Sequence, residues 1–181
     1  KRDDIIVMSH VPDLPGLDSR PFLEDQLVVV APPDHPLVGA RRIPVSSLAH
    51  EPFLMREPGS SSRMVAEDVF RNLGFPFRVG MELGSTEAIK QGTMAGLGLS
   101  VLSTFTIVHE LADGRVRVLD VNGFPLGRRW NVVAFGDMPL SLPGRMFSAF
   151  VMSEEGRGIA DALRPIIEPP TAAPLARAAT P

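Results

Sequence analysis

Two blocks carry the residue types that could do chemistry: Arg56-Glu57-Pro58-Gly59-Ser60-Ser61-Ser62-Arg63 and Gly84-Ser85-Thr86-Glu87-Ala88-Ile89. Each follows a short apolar run and opens a helical pattern. A chain that passes from a strand through glycine and hydroxyl residues into a helix leaves its first backbone N–H groups without partners, at the positive end of the helix dipole. That arrangement suits a small anion. Two such loops about 25 residues apart, each after its own strand, are expected to line one cleft, a layout that serves a sensor as readily as an enzyme. Arg56 leads from the strand into the serine loop, where its guanidinium could pair bidentately with a phosphate or carboxylate. For Ser60, Ser61, Ser62, Arg63, Ser85 and Thr86 the alternative to ligand binding is helix capping with a solvated arginine.

Other chemistry has less support. Ser9 and His10 end a short strand where a cleft could lie, so either could hydrogen-bond a ligand; a lone histidine is otherwise an ordinary side chain. His35 and His50 lack a second histidine or carboxylate at ligand spacing, so no metal site is expected. Gly96-Leu97-Gly98 follows a helix and precedes a strand, the reverse of a dinucleotide fingerprint, and Gly59-Ser60-Ser61-Ser62 lacks the lysine of a P-loop. No Gly-x-Ser-x-Gly elbow is present and no acid-base pair can be named, so no catalytic residue and no cofactor are expected. Arg128-Arg129 beside Trp130 reads as a solvated basic pair or an anion contact.

The elements that must position these residues follow from periodicity. Asp4 to Met8 reads as a short strand and Val11 to Gly16 as turn chemistry. Leu27-Val28-Val29-Val30-Ala31, stopped by Pro32-Pro33, is a buried strand, and Phe53-Leu54-Met55 another. Pro44 to Ala49 holds one helical turn. From Ser62, Ala66, Val69, Phe70 and Leu73 recur at helical spacing, with Gly74 as the terminating residue. Phe77 to Met81 is expected as a strand, Ser85 as the cap of the next helix, and Leu99 to Leu102 as a further buried strand. This β-α-β-α-β order implies a parallel sheet covered by helices. Val116–Val121 and Trp130–Phe135 read as strands. Ser141 to Ser153 reads as a helix with Phe147, Phe150 and Val151 facing the core. Positions 156–181, with Pro165, Pro169, Pro170, Pro174 and Pro181 among alanines, are expected to be a disordered tail.

The 181 residues are 44% hydrophobic and 22% charged, a globular balance. No apolar run approaches the roughly 18 residues of a membrane span. The N-terminus has only a four-residue apolar stretch, Ile5 to Met8, unlike a secretory signal. With no cysteine, disulfides and thiolate chemistry are excluded, and a cytoplasmic setting is permitted. A net charge of −3, without a basic stripe, argues against a free-standing nucleic-acid binder.

Leu27 to Leu37 with its Ala31-Pro32-Pro33-Asp34-His35-Pro36 ending, Arg56 to Arg63, and Ala95-Gly96-Leu97-Gly98-Leu99-Ser100-Val101-Leu102 together resemble the effector-binding domain of LysR-type transcriptional regulators, from about Asp4 to Val151. Met81 to Gln91, Leu119-Asp120-Val121-Asn122-Gly123-Phe124-Pro125 and Trp130 most resemble the subgroup controlling Calvin-cycle carbon-fixation operons. The resemblance implies an α/β fold of two periplasmic-binding-protein-like (type 2) lobes joined by two crossing strands. Mapped here, 27–131 would form lobe II, while 1–26 and 132–155 would be part of an incomplete lobe I. It further implies a non-enzymatic sensor that binds a small anionic metabolite (a phosphorylated sugar, an organic acid or a nicotinamide nucleotide) and reaches DNA only through a helix-turn-helix that this chain lacks. Dimers or tetramers of the full regulator are implied, as is weak effector binding by this chain alone. A solute-binding protein of a transport system is the alternative with the same architecture, and an enzyme for a phosphorylated substrate ranks last.

Overall fold

The computed structural model describes residues 3–72, 74–75 and 78–167. In chain order its elements are β1 (Ile6–Met8), β2 (Leu17–Ala31), β3 (Pro52–Met55), α1 (Ser61–Asn72), β4 (Arg78–Glu82), α2 (Thr86–Met94), β5 (Leu99–Ser103), α3 (Val108–Ala112), β6 (Arg117–Val118), β7 (Leu126–Phe135), α4 (Leu142–Met152) and α5 (Glu154–Ile167). The strands form one mixed sheet in the order β1-β7-β2-β5-β3-β4, with β6 also paired to β2. The expected β-α-β-α-β unit is present, since β3 lies parallel to both β4 and β5.

Strand β3 sits between its two parallel partners, so the chain steps one way from β3 to β4 and back across β3 to reach β5. Crossovers of constant hand then place the two helices on opposite faces. The buried residues divide accordingly. Leu27, Val29, Phe53, Met55, Leu99 and Val101 meet Ala66 and Phe70 of α1, whereas Val28, Val30, Leu54 and Leu102 meet Ile89 of α2. Alternation along each strand thus feeds two cores, which is why these runs read as continuously apolar.

Close approach at the turn into β5 depends on glycine. A Cβ on Gly98 would collide with the Pro52 carbonyl oxygen, and one on Gly92 would lie 2.7 Å from Leu54 Cδ1. Gly98→Ala is therefore expected to lower stability by about 1–3 kcal/mol through overpacking, read as a lower urea midpoint, and a change below about 0.5 kcal/mol would show that the strands part without strain. At the other helix, Gly74 adopts φ +76°. Phe75 N–H donates to the Phe70 carbonyl at 3.0 Å, the expected glycine termination. Leu73 and Phe77 lie outside the described residues, and β4 begins at Arg78.

Four expectations need correction. Strand β2 starts ten residues before Leu27, because its polar first half pairs antiparallel with β7 from Leu17↔Phe135 to Leu27↔Leu126, with a shift at Pro21/Leu23. A proline is tolerated there because the ladder is already interrupted. The strand expected at Val116–Val121 shrinks to Arg117–Val118, and Val121 instead bridges Ile43. The face of α4 expected in the core is half-exposed, with Phe147 at 42% and Phe150 at 44%; only Gly144 of that helix is buried. Finally, helix α5 replaces the first part of the expected tail. Ser153 Oγ accepts from Gly156 N at 3.1 Å, Glu154 and Glu155 complement the dipole in its first turn, and α5 lies against α4 and α3. Residues 168–181 of that expectation lie outside the described residues.

Candidate functional site

Parallel pairing decides where the two hydroxyl loops go. Met55 of β3 is in register with Glu82 of β4, and Leu83 N–H donates to the Met55 carbonyl at 2.9 Å. Both strands therefore deliver their chains to the same end of the sheet, one into Arg56 and the serine loop, the other into Gly84-Ser85-Thr86. This is the carboxyl end of adjacent parallel strands beside a reversal of strand order, where open α/β sheets place ligands.

Arg56 joins the loops. Its Nη1 donates to Thr86 Oγ1 at 3.3 Å, while Nε and Nη2 each donate to a Glu57 carboxylate oxygen at 2.8 Å. Those hydrogen bonds hold the Glu57 carboxyl below its ordinary range and raise the guanidinium's pKa. Gly59 at φ +88° makes the turn that follows. Ser60 and Ser62 hydroxyls lie 3.2 Å apart, and the Ser60 carbonyl accepts the first helical bond, from Met64 N–H at 2.9 Å. The Ser61 hydroxyl instead faces across the site and accepts from Ser9 Oγ at 3.3 Å. In α2, Ser85 is the N-cap, its Oγ accepting from Ala88 N–H at 3.1 Å. Thr86 is left as the hydroxyl that turns toward Arg56.

The structure thus pairs Ser9 with Ser61 and Arg56 with Thr86. Arg63 is bonded to other partners. Its guanidinium, 12% exposed, donates to Glu67 and Glu82 at 2.7 Å each and to the Arg56 carbonyl at 2.8 Å, and these bonds raise its pKa. It clamps α1 to β4 beneath the loop. His10 is exposed beyond the end of β1. Sequence reasoning missed Glu57 as the partner of Arg56, although adjacent opposite charges at a strand end were a usable signal. Arg128 is not solvated: it is 10% exposed and bonded to buried Asp25 at 2.6 Å.

Among the described residues, no group of three or more His, Asp or Glu side chains could hold a metal ion, and no helix is long and apolar enough to cross a membrane. A separate depression lined by Pro21, Phe22, Leu23, Arg129 and Arg157 shares no residue with the loops.

Comparison with known proteins gives a consistent result. The model for the LysR substrate binding domain matches residues 1–155. The RuBisCO operon transcriptional regulator of Allochromatium vinosum is 43% identical over 154 residues, 85% of this chain and 51% of that protein. The HTH-type transcriptional regulator CbbR of Xanthobacter flavus is 42% identical over 153 residues, 83% of this chain and 46% of that protein. The chain spans about half the length of the curated relatives it matches. Among solved structures, the regulatory domain of Synechocystis PCC6803 CcmR in complex with 2-PG has a TM-score of 0.77 at 41% identity, covering 83% of this chain and 72% of that one. The effector binding domain of QuiR in complex with shikimate shares the fold, with a TM-score of 0.70 at 21% identity over 82% of this chain and 70% of that one.

Proposed function

This chain belongs to the LysR substrate-binding-domain family, and on that premise we propose that it senses a small anionic metabolite held by Ser9, Arg56, Ser61 and Thr86. The observation that carries the reading is the convergence of two helix-opening loops at one end of β3 and β4, bridged by Arg56 to Thr86 at 3.3 Å and met by Ser9 of the β1 end at 3.3 Å from Ser61. Backbone N–H groups at two helix starts and one guanidinium favour negative charge without needing a metal or cofactor. Ser60, Ser62 and Ser85 shape the loops, Arg63 braces them, and His10 is an exposed side chain next to Ser9. The residues of the two buried clusters fall between Leu27 and Leu126, which supports 27–131 as lobe II. The remainder up to 155 then belongs with lobe I, and α5 lies against both lobes, touching α4 and α3.

Binding between lobes acts by population shift: the anion favours the lobe arrangement in which both Ser9 and the loops can reach it. The shift equals the difference in affinity between arrangements and no more. In the whole regulator that bias passes to DNA-binding arms of a dimer or tetramer in the cytoplasm. The relatives carry the names of transcription regulators, which favours a sensor over both a transport protein and an enzyme. Because the regulatory domain of CcmR was solved with 2-PG, 2-PG is the first compound to titrate, and phosphorylated sugars, organic acids and nicotinamide nucleotides follow. Arg56→Gln is expected to weaken 2-PG binding about 10- to 100-fold, the worth of a charged hydrogen-bonding group, measured by calorimetric titration. Equal affinity in the variant and the parent chain would remove Arg56 from the site.

A further inference from the structure

We propose that Glu57 is a built-in competitor for Arg56, so that an anion enters the site by displacing the Glu57 carboxylate from the guanidinium. This rests on Arg56 being an anion-binding residue. Both Glu57 oxygens are taken up by Arg56, through Nε and Nη2 at 2.8 Å each. That two-pronged contact is the geometry in which an arginine receives a ligand carboxylate or phosphate. The third donor atom, Nη1, is directed to Thr86. The Nε/Nη2 edge, which offers the two parallel N–H donors, is therefore closed to an incoming anion until Glu57 leaves it.

Glu57 is the partner built to leave. Its side chain is 45% exposed, against 28% for Arg56, so its carboxylate can rotate into water with little desolvation to reverse. Its remaining stabilisation comes from its own backbone N–H and the more distant charge of Arg63. The comparison with Arg63 is informative, because that guanidinium is 12% exposed and held by two carboxylates from different elements. One arginine of the loop is fixed and the other is detained by a single neighbour in sequence. The consequence is a threshold: only an anion that outcompetes a glutamate for a guanidinium gains the site, which favours phosphates over simple carboxylates.

The test titrates inorganic phosphate by calorimetry into the whole chain and its Glu57→Gln, Arg56→Gln and double variants, and follows the Glu57 carboxyl carbon of the parent chain by NMR. Glu57→Gln is expected to bind phosphate about 3- to 10-fold more tightly, the scale of an exposed bidentate ion pair and the charge it removes. In the Arg56→Gln background the same substitution should gain less than about 2-fold, since the coupling runs through the guanidinium. In the parent chain, phosphate should move the Glu57 carboxyl resonance toward that of a free glutamate, a response that a merely structural Glu57 would not give. An unchanged or lower affinity in Glu57→Gln overturns the proposal, as does an equal gain in both backgrounds, which would mark a through-space charge effect. Phosphate binding that ignores Arg56→Gln overturns the Arg56 reading itself, and is told apart by that single variant.

Discussion

Replacing Asp25 with alanine is expected to lower stability by about 3–5 kcal/mol, the effect of breaking a buried ion pair from one side. The Asp25 side chain is fully buried and that of Arg128 is 10% exposed. The carboxylate accepts from Arg128 Nε at 2.6 Å, Trp130 Nε1 at 3.1 Å and Ser103 Oγ at 2.7 Å. It also receives the Gln26 N–H at 2.7 Å. Without it, a guanidinium, an indole N–H and a hydroxyl lose their acceptor in a place water hardly reaches. Arg128 stacks 4.7 Å over the Trp130 ring, which holds the cation in place and prevents its escape to solvent. The urea midpoint measures the loss, and a decrease below about 1 kcal/mol would mean that the network relaxes or hydrates freely. Asp25→Asn keeps an acceptor and the shape, so it should be milder. Asp25→Leu combined with Arg128→Met should recover much of the loss, because removing both charges leaves nothing unpaired.

The position of this network matters more than its energy. Asp25 pairs with Arg128 across the β2–β7 ladder, and Ser103 ends β5, so one carboxylate ties three strands where the long ribbon enters the core. The outer part of that ribbon carries β1, through Val7↔Val132 and its neighbours. Ser9 is thus held over Ser61 by a lever whose fulcrum is Asp25. Softening the fulcrum should lower effector affinity without touching a contacting residue, as expected of a positioning group.

The parts of the fold that were legible in the sequence are those where one physical signal dominates. Leu27 to Ala31, Phe53 to Met55 and Leu99 to Leu102 are apolar at consecutive positions because both faces of the sheet are covered, and parallel pairing follows from the helices between them. Gly74 and Ser85 marked helix ends because few other residues do their work there. Leu17 to Gln26 was not legible, since a two-strand ribbon that is solvated on much of its surface needs no alternation, and Pro21 argues against a strand unless a shift in register is foreseen. Asp25 left a faint trace: it stands in phase with Leu23 and Leu27, at a position the period reserves for an apolar side chain. Gly156, Gly158 and the prolines from Pro165 onward hid α5, although Glu154, Glu155, Ala160, Ala162 and Leu163 favour a helix. At the candidate site, the two loops were legible in the sequence, but which hydroxyl meets another element depends on tertiary placement. Ser61 rather than Ser60 meets Ser9, and Thr86 rather than Ser85 meets Arg56, because the neighbouring serines are engaged locally.

Phe53→Ala is expected to cost about 3–5 kcal/mol, the range for deleting a fully enclosed aromatic ring, and its effect should be lopsided. Phe53 is fully buried and meets Phe70 of α1 edge-to-face, with ring centroids 5.4 Å apart and planes at 75°. Phe70 in turn leans on Phe124 at 6.4 Å, so the ring joins α1 to the sheet on one face only. Its neighbour Leu54 points the other way, into the cluster with Ile89 of α2. Losing Phe53 therefore loosens the helix that begins at the serine loop, while the helix that begins at Thr86 keeps its packing. Hydrogen exchange resolves the two: amides of Met64 to Phe70 should exchange faster in Phe53→Ala, and those of Ile89 to Thr93 should change little under native conditions. Phe53→Leu, which conserves most of the volume, should cost less than about 1.5 kcal/mol and leave both helices protected. Equal acceleration at both would show that the two faces move as one body. In that case the serine loop and the Thr86 loop could not be tuned separately, and the bridge from Arg56 to Thr86 at 3.3 Å would belong to a single rigid edge rather than to two independently supported halves of a cleft.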